Sequence, residues 1–300
     1  MKNANQELNS IFYVAEEMVN DNGEDCFYHD VIDNKFIIAS LDGCGGSGSK
    51  RYKNFSGKTG AYVASRAVCG GVKAWFLESN EEEDLPTYVQ DALSVCKKYA
   101  DKAGRIMGSL SKAFPTTAAI ITGNILRDKC EITCYWAGDS RCYMLDAKGL
   151  HQLTEDDLDG QDAMSNLTND GVMNNSINAS TSFEIHSKKI VVGYPCILLT
   201  ATDGCFGYLN SPMEFEYLLT DSLVKSKNIT EWKIALNERM NTVTGDDYTL
   251  CVAVCGFADF EDIRNSFVKR NEYVAEKYLN SQQDVNDLWD IYKKNYSLYL

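Results

Sequence analysis

The 300 residues are 44% hydrophobic and 24% charged, an ordinary globular balance in a chain long enough to bury a core without disulfide or metal staples. A formal net charge of −14 argues against a nucleic-acid backbone or an anionic membrane as main partner, and it suits carboxylates gathered around divalent cations. No stretch approaches the ~18 apolar residues of a membrane span. The N-terminus lacks a basic segment followed by an apolar one, so the expected location is cytoplasmic. Eleven cysteines with no secretory cue are then expected to be reduced thiols. Neither Cys-x-x-Cys nor a His pair at ligand spacing occurs, which makes zinc a poor fit. Cys134, Cys142, Cys196 and Cys251 lie in apolar runs and read as small core residues.

Apolar β-type runs at 10–15 and 35–41 open the chain. Residues 58–78 then place Ala61, Ala64, Ser65, Val68, Val72 and Trp75 on one helical face, and 84–106 is a second helical candidate. Strand-like runs follow at 117–122, 131–137 and 141–145. Cys142 to Leu153, with a turn around Gly149, reads as a hairpin. Residues 155–180 are polar and rich in Asn and Asp, the signature of an exposed loop or small flap. Strands are expected at 190–192, 196–202 and 249–255, with helices at 211–223 and 230–241 between them. Residues 259–298 form a charged helical tail with a break near Asn280-Ser281. Its apolar positions Ile263, Phe267, Val274, Leu288, Ile291 and Tyr292 are expected to cover the core rather than to dock a partner. Antiparallel strands with helices in blocks indicate an α+β layered protein. With no repeat and no linker, one domain over 1–257 followed by a helical extension over 258–300 is the expected organisation.

Two Gly-rich segments invite nucleotide readings. Gly43-Cys-Gly-Gly-Ser-Gly48 matches G-x-G-x-x-G, but Asp42 precedes the first Gly and basic Lys50-Arg-Tyr-Lys53 separates the motif from the next helix. Gly57-Lys-Thr59 resembles the end of a P-loop, yet the Gly required five residues earlier is Tyr52.

Four segments place Asp where an apolar strand begins or ends: Gly23-Glu-Asp25, Leu41-Asp-Gly43, Ala201-Thr-Asp-Gly204 and Thr244-Gly-Asp-Asp247. Each alone is as consistent with a turn as with a ligand. Together they suit hard Mg²⁺ or Mn²⁺ ions, which prefer oxygen donors and keep several waters. The ordered set resembles the protein phosphatase 2C (PPM) type: Glu24-Asp25, Asp42-Gly-Cys-Gly-Gly46, Thr116-Thr-Ala118, Gly138-Asp-Ser-Arg141, Leu153-Thr-Glu-Asp156, Asp203-Gly204 and Asp246-Asp-Tyr-Thr249. The resemblance spans about residues 8–257. It implies a four-layer α-β-β-α sandwich of two mainly antiparallel sheets, and hydrolysis of phosphoserine or phosphothreonine by water held between two Mg²⁺ or Mn²⁺ ions. It further implies that Asp42 bridges the ions, that the Gly43 carbonyl ligates one, and that Asp203 and Asp246 complete the other site. Glu24 and Asp25 would hold water beside the ions, and Asp139 would serve a third, weaker site. Asp247 is an alternative to Asp246, although the spacing to Thr249 favours Asp246. The implied partner is a phosphoprotein, in opposition to a Ser/Thr kinase.

Three departures from the pattern matter. An Arg that grips phosphate in many members is Asn20 here, and Asn is short and neutral. Lys50, Arg51 or Lys53 is the candidate to supply some of the missing charge, with a solvated basic face as the alternative reading of each. The His of some members is Cys44, a poor acid at neutral pH. Gly207 stands where an Asp often lies, which withdraws a ligand from the third site. The segment from Leu153 to Ile190 is also short for a full flap. The alternative function is a catalytically weak regulatory or binding module of the same type.

Overall fold

The structure, a computed structural model, describes residues 7–79, 81–101, 112–159, 162–168 and 171–300. In β3 (Lys35–Leu41), Phe36 and Ile38 point to one side, Ile37 and Ala39 to the other, and all four are fully buried. In β12 (Tyr248–Cys255), Cys251, Ala253 and Cys255 likewise oppose Leu250, Val252 and Val254. Strands buried on both faces lie between two layers, and each of these belongs to a different five-stranded sheet.

The first sheet has the order β1 (Leu8–Glu16), β12, β11 (Cys196–Ala201), β8 (Arg141–Asp146), β9 (Gly149–Gln152). The second runs β10 (His186–Gly193), β7 (Lys129–Ala137), β6 (Ala118–Ile125), β3, β2 (Cys26–Ile32). Every pairing is antiparallel. The sheets meet through small and sulfur-bearing residues, with Cys134, Cys142, Cys196, Cys251 and Cys255 packed among Phe36, Ile38, Ile121, Met144 and Leu198. Thiols here donate to carbonyls of the opposite sheet, Cys251 to Ala39 at 3.4 Å and Cys142 to Ile120 at 3.5 Å. All eleven cysteines are free, and nine are buried.

Helices α2 (Gly60–Glu78) and α3 (Leu85–Tyr99) cover the second sheet, with Val68, Val72, Trp75, Val89 and Leu93 against Ile37, Ala39 and Ile120. The first sheet is covered by α5 (Pro212–Val224), α6 (Ile229–Val243), α7 (Phe260–Val274) and α8 (Val285–Tyr296), through Phe215, Leu219, Trp232, Phe267 and Tyr292. Side-chain caps set their starts: Thr59 accepts the Tyr62 amide, Ser211 that of Glu214 and Asn228 that of Glu231. The result is an α-β-β-α sandwich of two antiparallel sheets, the expected fold class. Two short pieces, β4 (Arg51–Tyr52) and β5 (Lys58–Thr59), make a small hairpin, and α1 (Gly45–Gly48) and α4 (Ser165–Thr168) are single turns.

Helix α3 ends at Tyr99, so the expected continuation to 106 stops short, and residues 102–106 lie outside the described residues, as do residues 1–6. Strand β2 was not anticipated; it is only half buried and interrupted by His29 and Asp30. The described part of 155–180 carries α4 and isolated bridges, Leu158 to Met173 and Thr116 to Ile177. The tail forms α7, a π-helical continuation over Ala275–Leu279, a break, and α8. Its expected apolar positions are buried except Ile291, which is exposed. Among the described residues no helix is long and apolar enough to cross a membrane.

Candidate active site

The acidic segments fall where strands of both sheets end together. Asp42 follows β3 and Asp203 follows β11. Asp246 and Asp247 precede β12, Glu24 and Asp25 precede β2, and Asp139 lies in the turn from β7 to β8. Hydrogen bonds draw these ends into one place. The Ser40 hydroxyl reaches the Thr200 carbonyl at 3.0 Å, joining β3 to β11 across the sandwich. Thr117 donates its amide to the Asp42 carbonyl at 2.7 Å, and the Thr116 hydroxyl donates to the same oxygen at 2.6 Å. The Thr117 and Ser140 hydroxyls meet at 2.6 Å, fixing the turn that carries Asp139. Thr202 donates to Asp25 at 2.8 Å while its hydroxyl oxygen accepts the Thr249 amide at 2.9 Å. The Thr59 hydroxyl donates to Glu24.

These ends enclose a cleft of about 770 Å³ lined by Glu24, Asp42, Asp139, Asp203, Asp246 and Asp247, the loop Gly43 to Ser47, Lys50, Lys112, Met173 and Ser176. Burial, reinforced by repulsion from Asp203, Asp25 and Asp139, drives the Asp42 carboxyl well above the usual range. Burial likewise pushes Asp25 and Asp139 up to about 8, with Asp203 adding to both. Asp203 rises to about 6 through burial and Asp246. Asp246 and Glu24 are raised too, again chiefly by burial. The Cys44 thiol is pushed up by burial and by Asp42, so it stays protonated at neutral pH.

Such a cluster is a poor resting place for negative charge and a good one for a cation. One buried carboxylate oxygen of Asp25 and one of Asp139 have no hydrogen-bond partner among the described residues. A Cβ on Gly43 would press to 2.5 Å from the Ala61 carbonyl, so only glycine lets the backbone lie here. The donors are all oxygen, the set preferred by Mg²⁺ and Mn²⁺. Among the described residues no three His, Cys, Asp or Glu side chains form a ready-made cage. A hard cation held by one or two carboxylates and several waters does not require one. The donor set therefore fits a divalent cation.

Of the basic residues singled out in the sequence, Lys50 lines the cleft. Arg51 turns to the Gly57 carbonyl at 3.0 Å and lines a neighbouring hollow of about 420 Å³ with Glu24, Lys58 and Tyr62. Lys53 is outside both, its amide held by Asp101 at 2.7 Å. Asn20 lies in an exposed turn and does not line the cleft. Sequence reasoning missed Lys112, Ser176, Thr59 and Thr202. Their only signal is tertiary, since each meets its acidic partner or the cleft through segments far away in the chain.

No family profile and no curated protein sequence matches this chain. Its fold matches solved structures. One is the PPM Ser-Thr phosphatase MsPP from Mycobacterium smegmatis in complex with cacodylate (15% identity, TM-score 0.58, 83% of this chain and 99% of that one). Another is the serine/threonine phosphatase Stp1 from Staphylococcus aureus (19% identity, TM-score 0.57, 82% and 94%). A third is the catalytic domain of the serine threonine protein phosphatase PstP in complex with two manganese ions (15% identity, TM-score 0.52, 82% and 97%). At these identities the likeness establishes the shared fold.

Proposed function

We propose that this chain is a metal-dependent phosphoprotein phosphatase of the PPM type, a phosphoric monoester hydrolase acting on phosphoserine and phosphothreonine. The observation that carries the proposal is the convergence of carboxylates from both sheets onto one cleft of the matching fold. Asp42, the Gly43 carbonyl, Asp203 and Asp246 would hold two Mg²⁺ or Mn²⁺ ions, with Asp139 beside them for a weaker third. When bound, such ions supply the Lewis acidity that activates water and neutralises phosphoryl charge.

The chain's own groups do the rest. Thr202 holds Asp25 and Thr59 holds Glu24, so that both carboxyls are fixed in place, and Glu24, which lines the cleft, is positioned to orient water there. The Thr116 and Thr117 donors fix the Asp42 carbonyl, and the Cys44 amide, donating to the Pro115 carbonyl at 3.2 Å, fixes the peptide that carries the Gly43 carbonyl. Cys44, kept as a thiol, is not the nucleophile. Free thiols throughout suit a reducing cytoplasm, where the counterpart would be a Ser/Thr kinase. A weak regulatory module is the second reading, favoured by one observation: no Arg is among the described residues that line the cleft.

Hydrolysis of an aryl phosphate and a phosphothreonine peptide, in Mn²⁺, Mg²⁺ or EDTA, separates the two. We expect metal-dependent turnover that falls at least ~100-fold in Asp203→Asn. Folded protein that turns over neither substrate in either metal would select the regulatory reading.

A further inference from the structure

A cleft with six carboxylates among its described residues must still accept a dianionic phosphoryl group. Among the described residues its lining holds two ammonium groups, Lys50 and Lys112. Lys50 lies over the Tyr52 ring, 4.4 Å from its centroid, and so leans on the β4–β5 hairpin. Lys112 is held differently. Its Nζ donates to the Ser176 hydroxyl at 2.9 Å, and Ser176 is itself 2% exposed. An ammonium has three donors, and among the described residues Ser176 takes one of them.

The backbone around Lys112 is fixed on both sides. On one side its amide donates to the Ser47 carbonyl at 3.2 Å, and the Cys44 amide donates to the Pro115 carbonyl at 3.2 Å. That ties it to the loop following Asp42. On the other side Ala179 donates to Ala113 at 2.8 Å and Thr116 to Ile177 at 2.9 Å, while the Ser180 hydroxyl accepts the Ala113 amide at 2.7 Å. Phe114 between them is buried against Tyr52, ring centroids 4.7 Å apart, with a φ of 54°. A bulky residue in the left-handed region persists only where its surroundings over-determine it. A charge so placed is pre-organised, with little side-chain freedom left to lose on binding.

We propose that Lys112, positioned by Ser176, binds the phosphoryl oxygens of the substrate. The inference deepens the phosphatase reading and rests on it for the identity of the ligand. Inorganic phosphate, the product, serves as probe. Its affinity for Mn²⁺-loaded protein would be measured calorimetrically for wild type, Lys112→Met, Lys112→Arg and Ser176→Ala, beside KM and kcat for an aryl phosphate. Loss of a charged hydrogen-bond donor predicts ~10- to 100-fold weaker phosphate binding in Lys112→Met. KM should rise in step, while the melting shift given by Mn²⁺ stays unchanged. Lys112→Arg should recover most of the affinity, and Ser176→Ala should fall between. Phosphate affinity within twofold of wild type in Lys112→Met, with Mn²⁺ still bound, overturns the proposal, as does a wild type that binds Mn²⁺ but no phosphate. A wild type that binds phosphate through Lys112 yet hydrolyses nothing would leave the inference standing and remove the phosphatase reading.

Discussion

Asp246 and Asp247 are adjacent, chemically identical and differently employed. Asp247 accepts the Met18 amide on one oxygen at 2.8 Å and the Glu24 amide on the other at 2.6 Å. It therefore pins the turn after β1, and with it Glu24, to the start of β12. Asp246 accepts its neighbour's amide at 2.8 Å and is exposed toward the cleft. Replacing Asp247 by Ala leaves two amides unpaired, so it should cost ~1–3 kcal/mol of stability. Asp246→Ala should leave stability unchanged or raised, because it removes a repelling charge, and should abolish metal-dependent turnover. Urea unfolding beside aryl phosphate kinetics distinguishes the roles. Equal losses of stability in both variants would sink the division of labour.

At the level of elements, what the sequence made legible and what it hid follow from how local each signal is. The continuous apolar runs of β3 and β12, and the helical stripe from Ala61 to Trp75, declare themselves because burial is written into adjacent residues. So are the Asp residues at strand ends, which need only a strand and its terminus to be noticed. Strand β2 escaped because its half-buried residues carry no run. Lys112 and Ser176 escaped because 64 residues separate them. Arg51 and Lys53 drew notice by nearness in sequence to Asp42, but the Arg51 guanidinium bonds the Gly57 carbonyl and the Lys53 backbone amide is held by Asp101, and neither residue lines the cleft. Glu216 is the same lesson in the helical layer. It stands fully buried on α5, clasped by Arg270 of α7 at 2.5 and 2.9 Å and by the Tyr292 hydroxyl of α8 at 2.5 Å. Three helices thus share one carboxylate whose partners lie 54 and 76 residues on. Removing one partner of a buried pair strands the other's charge, so Glu216→Ala should cost ~3–5 kcal/mol. Replacing both, as Glu216→Met with Arg270→Met, should return much of that loss. Denaturant midpoints test this, and a double variant no better than the single would show that the pair itself, not the stranded charge, sets the cost.

For the molecule as a whole, the cleft couples folding to protons. A carboxyl whose pKa is raised by folding binds its proton more tightly in the native state. Its contribution is fully present below the unfolded value near 4 and is lost as pH climbs through the folded one. Asp25 and Asp139 place that upper limit at about 8 and Asp203 at about 6, with Asp42 also raised. The metal-free protein should therefore lose stability steadily from pH 5 to pH 8.5. Asp146, Asp162 and Asp221 are lowered by their partners, so their contributions fade only below the unfolded value, outside this window. His29 is lowered by burial and acts in the opposite sense, as one partly buried imidazole against the six raised carboxyls of the cluster. A divalent cation takes over from the protons, so its stabilisation should grow as pH rises and its binding should release protons. Melting temperatures in EDTA should fall across the range, those in Mn²⁺ should fall less, and the gap at pH 8 should exceed the gap at pH 5.5. Asp203→Asn in EDTA at pH 8 should melt above the wild type, since it deletes a charge the native state resists. An EDTA profile that stays flat or rises would mean the carboxyls ionise together without a counter-charge, and the electrostatic case for a cation in this cleft would fall with it.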